Sequence, residues 1–99
     1  TGGGVRNLAR LKSTVEFRIT DPTKPQPVFR ELQTLGGIED REMYQTFNMG
    51  MGFALVTPES DAKDVIRALR PDARAKVVGE VRRGRGVSVP DLGLAWESY

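Results

Sequence analysis

Residues 42–56 read EMYQTFNMGMGFALV, and this stretch decides how the chain is expected to fold. Its first part, Glu42–Gly52, sets a hydroxyl, an amide and two glycines before the wholly apolar run Phe53–Val56. That order is typical of a loop that delivers polar and backbone groups to a ligand at the mouth of a buried strand. We therefore predict that Gly50–Thr57 is a central strand, apolar on both faces.

Periodic apolar residues predict the elements that come before this strand. A short helix is expected over Val5–Leu11, followed by a half-exposed strand at Val15–Ile19, where apolar and charged residues alternate. Pro27 suits the first turn of a second helix, which the pair Gly36–Gly37 ends. A short helical turn and then a loop are expected over Glu39–Phe47.

The second half of the chain continues the alternation of helix and strand. A third helix is predicted between Pro58 and Pro71, with acidic residues at its start and arginines at its end, as the helix dipole favours. Ala75–Val81 and Val87–Val89 are predicted to form a hairpin, and residues 92–96 an edge strand. The fold class predicted from this order is α/β (α+β layered), with helices packed on a mixed β-sheet.

The same periodicity predicts which side chains are buried. Met43, Tyr44, Phe47 and Met49 are interpreted as packing residues rather than ligand contacts. The inward faces of the helices and strands supply the rest of the predicted core: Phe29, Leu32, Phe53, Leu55, Val65, Ile66, Leu69 and Val78.

Composition limits the possible functions. Ninety-nine residues make a single domain over 1–99, or part of one, and the net charge of +2 is too small to argue for nucleic acid or a membrane. The chain has no cysteine, which fits a cytoplasmic protein and excludes thiolate metal sites. It also has no histidine. A general base near neutral pH must therefore be a carboxylate, lysine or tyrosine with a shifted pKa, or lie outside the chain.

Two segments carry candidate binding residues, and each has two interpretations. The glycines of Gly2–Gly4 allow close backbone approach to a phosphate, or they form a flexible end. Asn48, with Gly50 and Gly52, supplies ligand contacts, or it forms a tight turn where a strand begins. From the residues alone, the turn is the favoured interpretation of Asn48.

Two other charged segments are interpreted as solvated surface. The arginines of Arg82–Gly86 could bind nucleic acid, but no aromatic residue is interleaved with them. The carboxylates of Glu39, Asp40 and Glu42 could suggest a metal site, but their spacing is typical of a helix start. No metal ligand is predicted in this chain.

Both candidate segments resemble motifs of one family. Glu42–Gly52 resembles the Glu-Met-Tyr-x-Thr-Phe-Asn-x-Gly-x-Gly signature of aminoimidazole ribonucleotide synthetase, the phosphoribosylformylglycinamidine cyclo-ligase of purine synthesis. Thr1–Gly4 resembles the end of that family's His-Ile-Thr-Gly-Gly-Gly motif. Further similarity lies in Phe29–Gly36, Asp64–Val65 and Val78–Val81. Residues 90–99 match no motif of the family that we can name.

The resemblance implies a function for the parent protein. The chain would be a fragment of the carboxy-terminal domain of a synthetase that closes the ring of formylglycinamidine ribonucleotide at the expense of ATP. ATP and Mg²⁺ would be bound mainly outside this segment, and the parent would be a cytoplasmic homodimer. The fragment alone would be inactive, and its catalytic residues are unknown. The residues implied to bind substrate are Gly2, Gly3, Gly4, Thr46, Asn48 and Gly50.

A second class of function stays open at this point. The chain could be a non-catalytic binding or interaction module that has the same fold without the ligand chemistry. An ATP-binding domain upstream in the gene would favour the enzyme, whereas an authentic start just before Thr1 would favour the module.

Overall fold

The computed structural model describes residues 2–99, so Thr1, the first residue of the predicted glycine motif, lies outside the described part. A helix and a strand are followed by a run of helices and then by the remaining three strands, with 3₁₀ helices designated η. They are η1 (Gly4–Arg10), β1 (Val15–Ile19), α1 (Pro27–Gly36), α2 (Asp40–Thr46), η2 (Glu59–Asp61), α3 (Ala62–Leu69), β2 (Gly79–Arg83), β3 (Gly86–Val89), η3 (Pro90–Leu92) and β4 (Leu94–Trp96). Helices packed on a mixed sheet confirm the predicted α+β class.

The strands form one sheet in the order β2-β1-β3-β4. β1 pairs antiparallel with β2 and parallel with β3, and β3 pairs antiparallel with β4. The predicted hairpin between β2 and β3 is therefore wrong, because β1 lies between them. The connection passes over the start of β1 at Gly84, where a Cβ atom would lie 3.0 Å from the Cβ of Glu16. The predicted edge strand is confirmed as β4.

The core lies between the sheet, η1 and α2. Met43 and Met49 are fully buried and Tyr44 is nearly so, which confirms their prediction as packing residues, while Phe47 is half-buried. Strands β1, β3 and β4 supply most of the rest. The buried hydrophobic residues are Val5, Phe17, Ile19, Met43, Tyr44, Met49, Val87, Val89, Leu94 and Trp96.

The predicted central strand Gly50–Thr57 is wrong. This segment has no regular secondary structure in the described chain, and Phe53 and Leu55 are 87% and 56% exposed. A buried central strand needs a partner at each edge, and within the described chain no strand pairs with this segment. The apolar run is therefore left on the surface.

The other predicted core positions also lie outside the core. Leu32 is 42% exposed, and Phe29 is only half-buried. The same holds for three residues of α3 and one that precedes β2, all of which are half-buried: Val65, Ile66, Leu69 and Val78. The reason is that η1 and α2 cover the sheet, so α1 and α3 stay at the periphery with their apolar stripes partly uncovered.

Polar contacts hold α2 against the last strand. The indole Nε1 of Trp96 donates a hydrogen bond to Gln45 Oε1 at 3.1 Å, and Arg41 donates to the Ala95 carbonyl oxygen at 3.0 Å. The first of these bonds lies near the end of α2 from which the candidate loop departs, and the second lies near the start of the helix. Within residues 2–99, no helix is long and apolar enough to span a membrane.

Candidate substrate site

The glycine cluster Gly2–Gly4 has a conformation that favours glycine. The three φ angles are 72°, 81° and 51°, in the left-handed region that other residues adopt at a cost. Asn7 holds this turn, because its Nδ2 group donates to the Gly2 and Gly4 carbonyl oxygens at 2.7 and 3.3 Å. The sequence prediction missed Asn7. Its signal was an amide three residues after the last glycine.

Gly4 brings the cluster directly against the end of α2. A Cβ atom at Gly4 would overlap the Tyr44 carbonyl oxygen and lie 2.7 Å from the Phe47 carbonyl oxygen. Only a glycine allows the two backbones to approach so closely. The two segments that the sequence singled out are therefore in contact, although more than 40 positions separate them along the chain.

Asn48 begins a tight turn after α2. Its side-chain oxygen accepts a hydrogen bond from the Gly50 backbone N–H at 2.9 Å, and its carbonyl oxygen accepts one from the Met51 N–H at 2.9 Å. Met49 and Gly50 both have positive φ angles, 49° and 92°. The side-chain oxygen of Asn48 therefore stabilises the turn, as the turn interpretation predicted. The amide nitrogen forms no hydrogen bond among those found for the described residues, and the side chain is exposed.

An open groove lies beside this turn. Asn48, Gly50 and Gly52 line one side, and the start of α1 lines the other with Gln26 and Phe29. At Gly50, a Cβ atom would lie 3.2 Å from Gln26 Oε1, so the turn and the residue before α1 are in contact. The groove therefore offers two side-chain amides beside an aromatic ring.

The Thr23 hydroxyl is a further polar group where the Asn48 turn meets the segment before α1. The Thr23 hydroxyl oxygen is buried without a hydrogen-bond partner, and it would lie 3.1 Å from a Cβ atom at Gly50. Sequence reasoning missed both Thr23 and Gln26, which lie in the segment that connects β1 to α1. No local signal distinguishes them from other connector residues.

The predicted site residues fall into two neighbouring groups rather than one. Asn48 and Gly50 line the groove, whereas none of the three glycines of the cluster does so. Thr46 turns away, since its hydroxyl donates to Glu42 Oε1 at 3.4 Å on the exposed side of α2. The backbone around Phe47 joins the groove to the cluster.

Tyr44 is the titratable group of this region with a shifted pKa. Burial raises the pKa of its hydroxyl above the ordinary value of 10.0, nearby Asp40 adds to the effect, and Arg30 partly opposes it. Tyr44 is therefore protonated near neutral pH and does not act as a general base there. The catalytic base remains unassigned in this chain.

The donor set does not suit a magnesium site. In residues 2–99, no three histidine, cysteine, aspartate or glutamate side chains come together as metal ligands. Mg²⁺ is held in proteins chiefly by carboxylates and phosphates. These residues therefore do not fit a resident metal.

The fold and this site define the class of the protein: an α+β domain in which a glycine cluster packs against the end of a helix that a polar loop follows. Comparison with known protein families gives the particular one. The model of the family described as AIR synthase related protein, C-terminal domain, matches residues 1–91, and the chain belongs to this family. The resemblance seen in the sequence is confirmed.

Curated relatives of this chain share one name, phosphoribosylformylglycinamidine cyclo-ligase. The chain is 51% identical to that of Methanopyrus kandleri over 89 residues, which are 90% of this chain and 26% of the relative. It is 40% identical to that of Thermoplasma volcanium over all 99 residues, which are 29% of the relative. The chain therefore spans less than a third of the length of these two relatives.

Proposed function

We propose that this chain is the later part of the carboxy-terminal domain of a phosphoribosylformylglycinamidine cyclo-ligase. In purine biosynthesis, that enzyme closes the ring of formylglycinamidine ribonucleotide in an ATP-dependent reaction. The identity to cyclo-ligases over nearly the whole chain supports the proposal. Residues 1–99 are proposed to fold as one unit and to form a wall of the substrate cleft, while ATP and Mg²⁺ are bound mainly by the rest of the cytoplasmic parent.

The contact between the glycine cluster and the end of α2, directly before the Asn48 turn, is the observation that carries the site proposal. Gly4 packs against the carbonyl oxygen of Phe47, the residue directly before Asn48. The side-chain oxygen of Asn48 accepts the hydrogen bond of the turn, which leaves its side-chain nitrogen for a ligand. The substrate has amide, amidine and phosphate groups. An amide donor, glycine backbone and the Gln26 amide form a surface that could bind such groups by hydrogen bonds.

Asn48→Ala in the full-length enzyme is expected to lower kcat/KM by more than about tenfold, a loss of roughly 1.4 kcal/mol of transition-state stabilisation. The variant loses the amide nitrogen that is proposed to contact the substrate. Because Asn48 is exposed, its melting temperature is expected to fall by only a few degrees. Steady-state kinetics and thermal unfolding measure the two effects separately.

Asn48→Asp is the matched control for the turn. It keeps a side-chain oxygen that can accept from the Gly50 N–H, but it lacks the amide donor. We expect its melting temperature to match the wild type and its activity to be as low as that of Asn48→Ala. Full activity in a stable Asn48→Asp enzyme would exclude the amide nitrogen from the substrate contact and reduce Asn48 to a turn residue.

The exposed apolar surface favours a domain of a larger enzyme over a stand-alone, non-catalytic module. Phe53, Leu55 and Val56 follow one another on the surface, with Phe53 87% exposed. An isolated module rarely exposes such a contiguous patch. We propose that the remainder of the synthetase chain covers it, and that the parent enzyme is a homodimer. The non-catalytic module is the weaker alternative, because it leaves this patch without a role.

The isolated 99-residue chain is accordingly expected to self-associate. Uncovered apolar patches and the two edge strands, β2 and β4, both favour association. Light scattering of the purified chain should give a mass that rises with concentration. The double variant Phe53→Ser/Leu55→Ser should lower that mass, whereas Leu35→Ser, an 85% exposed position on α1, serves as the control at another site. A strict monomer at millimolar concentration would contradict the expectation.

A further inference from the structure

Tyr99 packs against Gly3 of the glycine cluster. Its ring lies against Gly3, where a Cβ atom would come within 2.7 Å of the Tyr99 hydroxyl oxygen. The tail is anchored just before this contact, because Trp96 is buried and hydrogen-bonded to Gln45. Residues 97–99 therefore carry the ring from the edge of the sheet to the cluster, and they lie beyond residues 1–91 that match the family model.

The same ring holds two arginines of η1. The Cζ atom of Arg10 lies 3.6 Å from the centroid of the Tyr99 ring, and that of Arg6 lies 5.0 Å from it. A guanidinium over an aromatic face is attracted by the negative charge density of the ring. Both contacts therefore favour the position of Tyr99 over Gly3.

No carboxylate among the described residues pairs with these arginines. Within the described chain, neither guanidinium forms an ion pair, and Arg6 Nε is buried without a hydrogen-bond partner. Two positive charges thus lie beside the glycine cluster, and a neutral ring is packed against them. If the ring moved away, both guanidinium groups could face an anion at the cluster.

We propose that Tyr99 is a gate on the glycine cluster, closed in the free protein and displaced when the phosphate-bearing substrate binds. The Tyr99 ring fills the space beside Gly3 on the side where a Cβ atom would lie, so a ligand that uses this side of Gly3 must displace the ring. Tyr99 is 44% exposed, so it can move without disturbing the core. This inference rests on the proposed function, because it takes the glycine cluster to be part of the substrate site.

A gate of this kind lowers the apparent affinity for the substrate. The measured Kd equals the intrinsic Kd divided by the fraction of molecules in which the gate is open. Two exposed guanidinium–ring contacts favour the closed state modestly. Tyr99→Ala removes the ring and is expected to lower the Kd roughly threefold to tenfold.

The test is a calorimetric titration of the full-length synthetase with formylglycinamidine ribonucleotide. Wild type, Tyr99→Ala, Tyr99→Phe and Glu97→Ala are compared. Tyr99→Phe keeps the ring over the arginines, and Glu97→Ala changes an exposed tail residue without removing the ring. Both are expected to keep the wild-type Kd, so that tighter binding by Tyr99→Ala alone supports the gate.

The outcomes separate the gate from the proposed function. If the wild type binds the ribonucleotide and Tyr99→Ala binds it equally or more weakly, Tyr99 is not a gate, while the proposed function is unaffected. Tighter binding by Glu97→Ala as well would trace the effect to the tail in general and overturn the assignment to the ring. A wild type that does not bind the ribonucleotide would overturn the proposed function, and the gate with it.

Discussion

Gly4→Ala is expected to lower the free energy of unfolding by about 2–5 kcal/mol, the sum of two separate costs. The first is a left-handed backbone, since Gly4 has a φ of 51°. The second is overlap with backbone, because the new methyl group would meet the carbonyl oxygens of Tyr44 and Phe47. The backbone at the end of α2 cannot move aside as a flexible side chain can. Urea unfolding followed by circular dichroism measures the loss.

Gly2→Ala separates these two costs. Gly2 also has a positive φ, 72°, but no atom lies within 4 Å of the position where its Cβ would be. Alanine there incurs only the backbone cost, about 1–2 kcal/mol. Equal effects of the two substitutions would mean that Gly4 and α2 are not in close contact. The glycine cluster and the Asn48 turn could then no longer be assigned to one site.

Met43→Ala is the second large effect, with an expected loss of about 2–5 kcal/mol in the free energy of unfolding. Met43 is 0% exposed and lies on α2 at the centre of the core, where its side chain packs between the sheet and η1. Removing it leaves a cavity that close-packed neighbours fill only in part. The same urea unfolding experiment gives this value.

Phe53→Ala provides the contrast, because sequence periodicity predicted Phe53 as a core residue. It is 87% exposed, so its replacement is expected to change the free energy of unfolding by less than about 0.5 kcal/mol. A loss of about 3 kcal/mol or more would mean that Phe53 is packed in a core and that the segment after Gly52 forms the predicted strand.

Local sequence signals predicted where helices and strands form more reliably than which elements pair or pack with one another. Pro27 and the left-handed Gly37 bound α1 as expected, and the alternation in Val15–Ile19 gave β1 at its exact length. β2 begins at Gly79 rather than at Ala75, because the apolar residues that precede it face no neighbouring strand. Burial was predicted least well. An apolar face indicates that a helix or strand needs a partner, but not whether the chain supplies one.

In the candidate site too, some residues could be identified from the sequence and others only from the tertiary structure. Asn48 and the glycines could be selected from the sequence, because they belong to the motifs that resemble the family signature. Asn7 and Gln26 could not be selected in this way. They matter because η1 and the start of α1 fold back onto the end of α2, and that contact depends on the whole sheet.

By itself, the sequence determined the α+β class, the family, the two segments that carry its motifs and most of the individual helices and strands. These follow from residue types at short spacing, where proline, glycine and apolar periodicity act locally. Only the tertiary structure decided that β1 lies between β2 and β3 and that Phe53–Val56 lies on the surface. It also decided that Tyr99 closes over Gly3. The physical reason is that strand pairing and burial depend on which surfaces compete for the same partner, and that competition is settled between residues far apart in the chain.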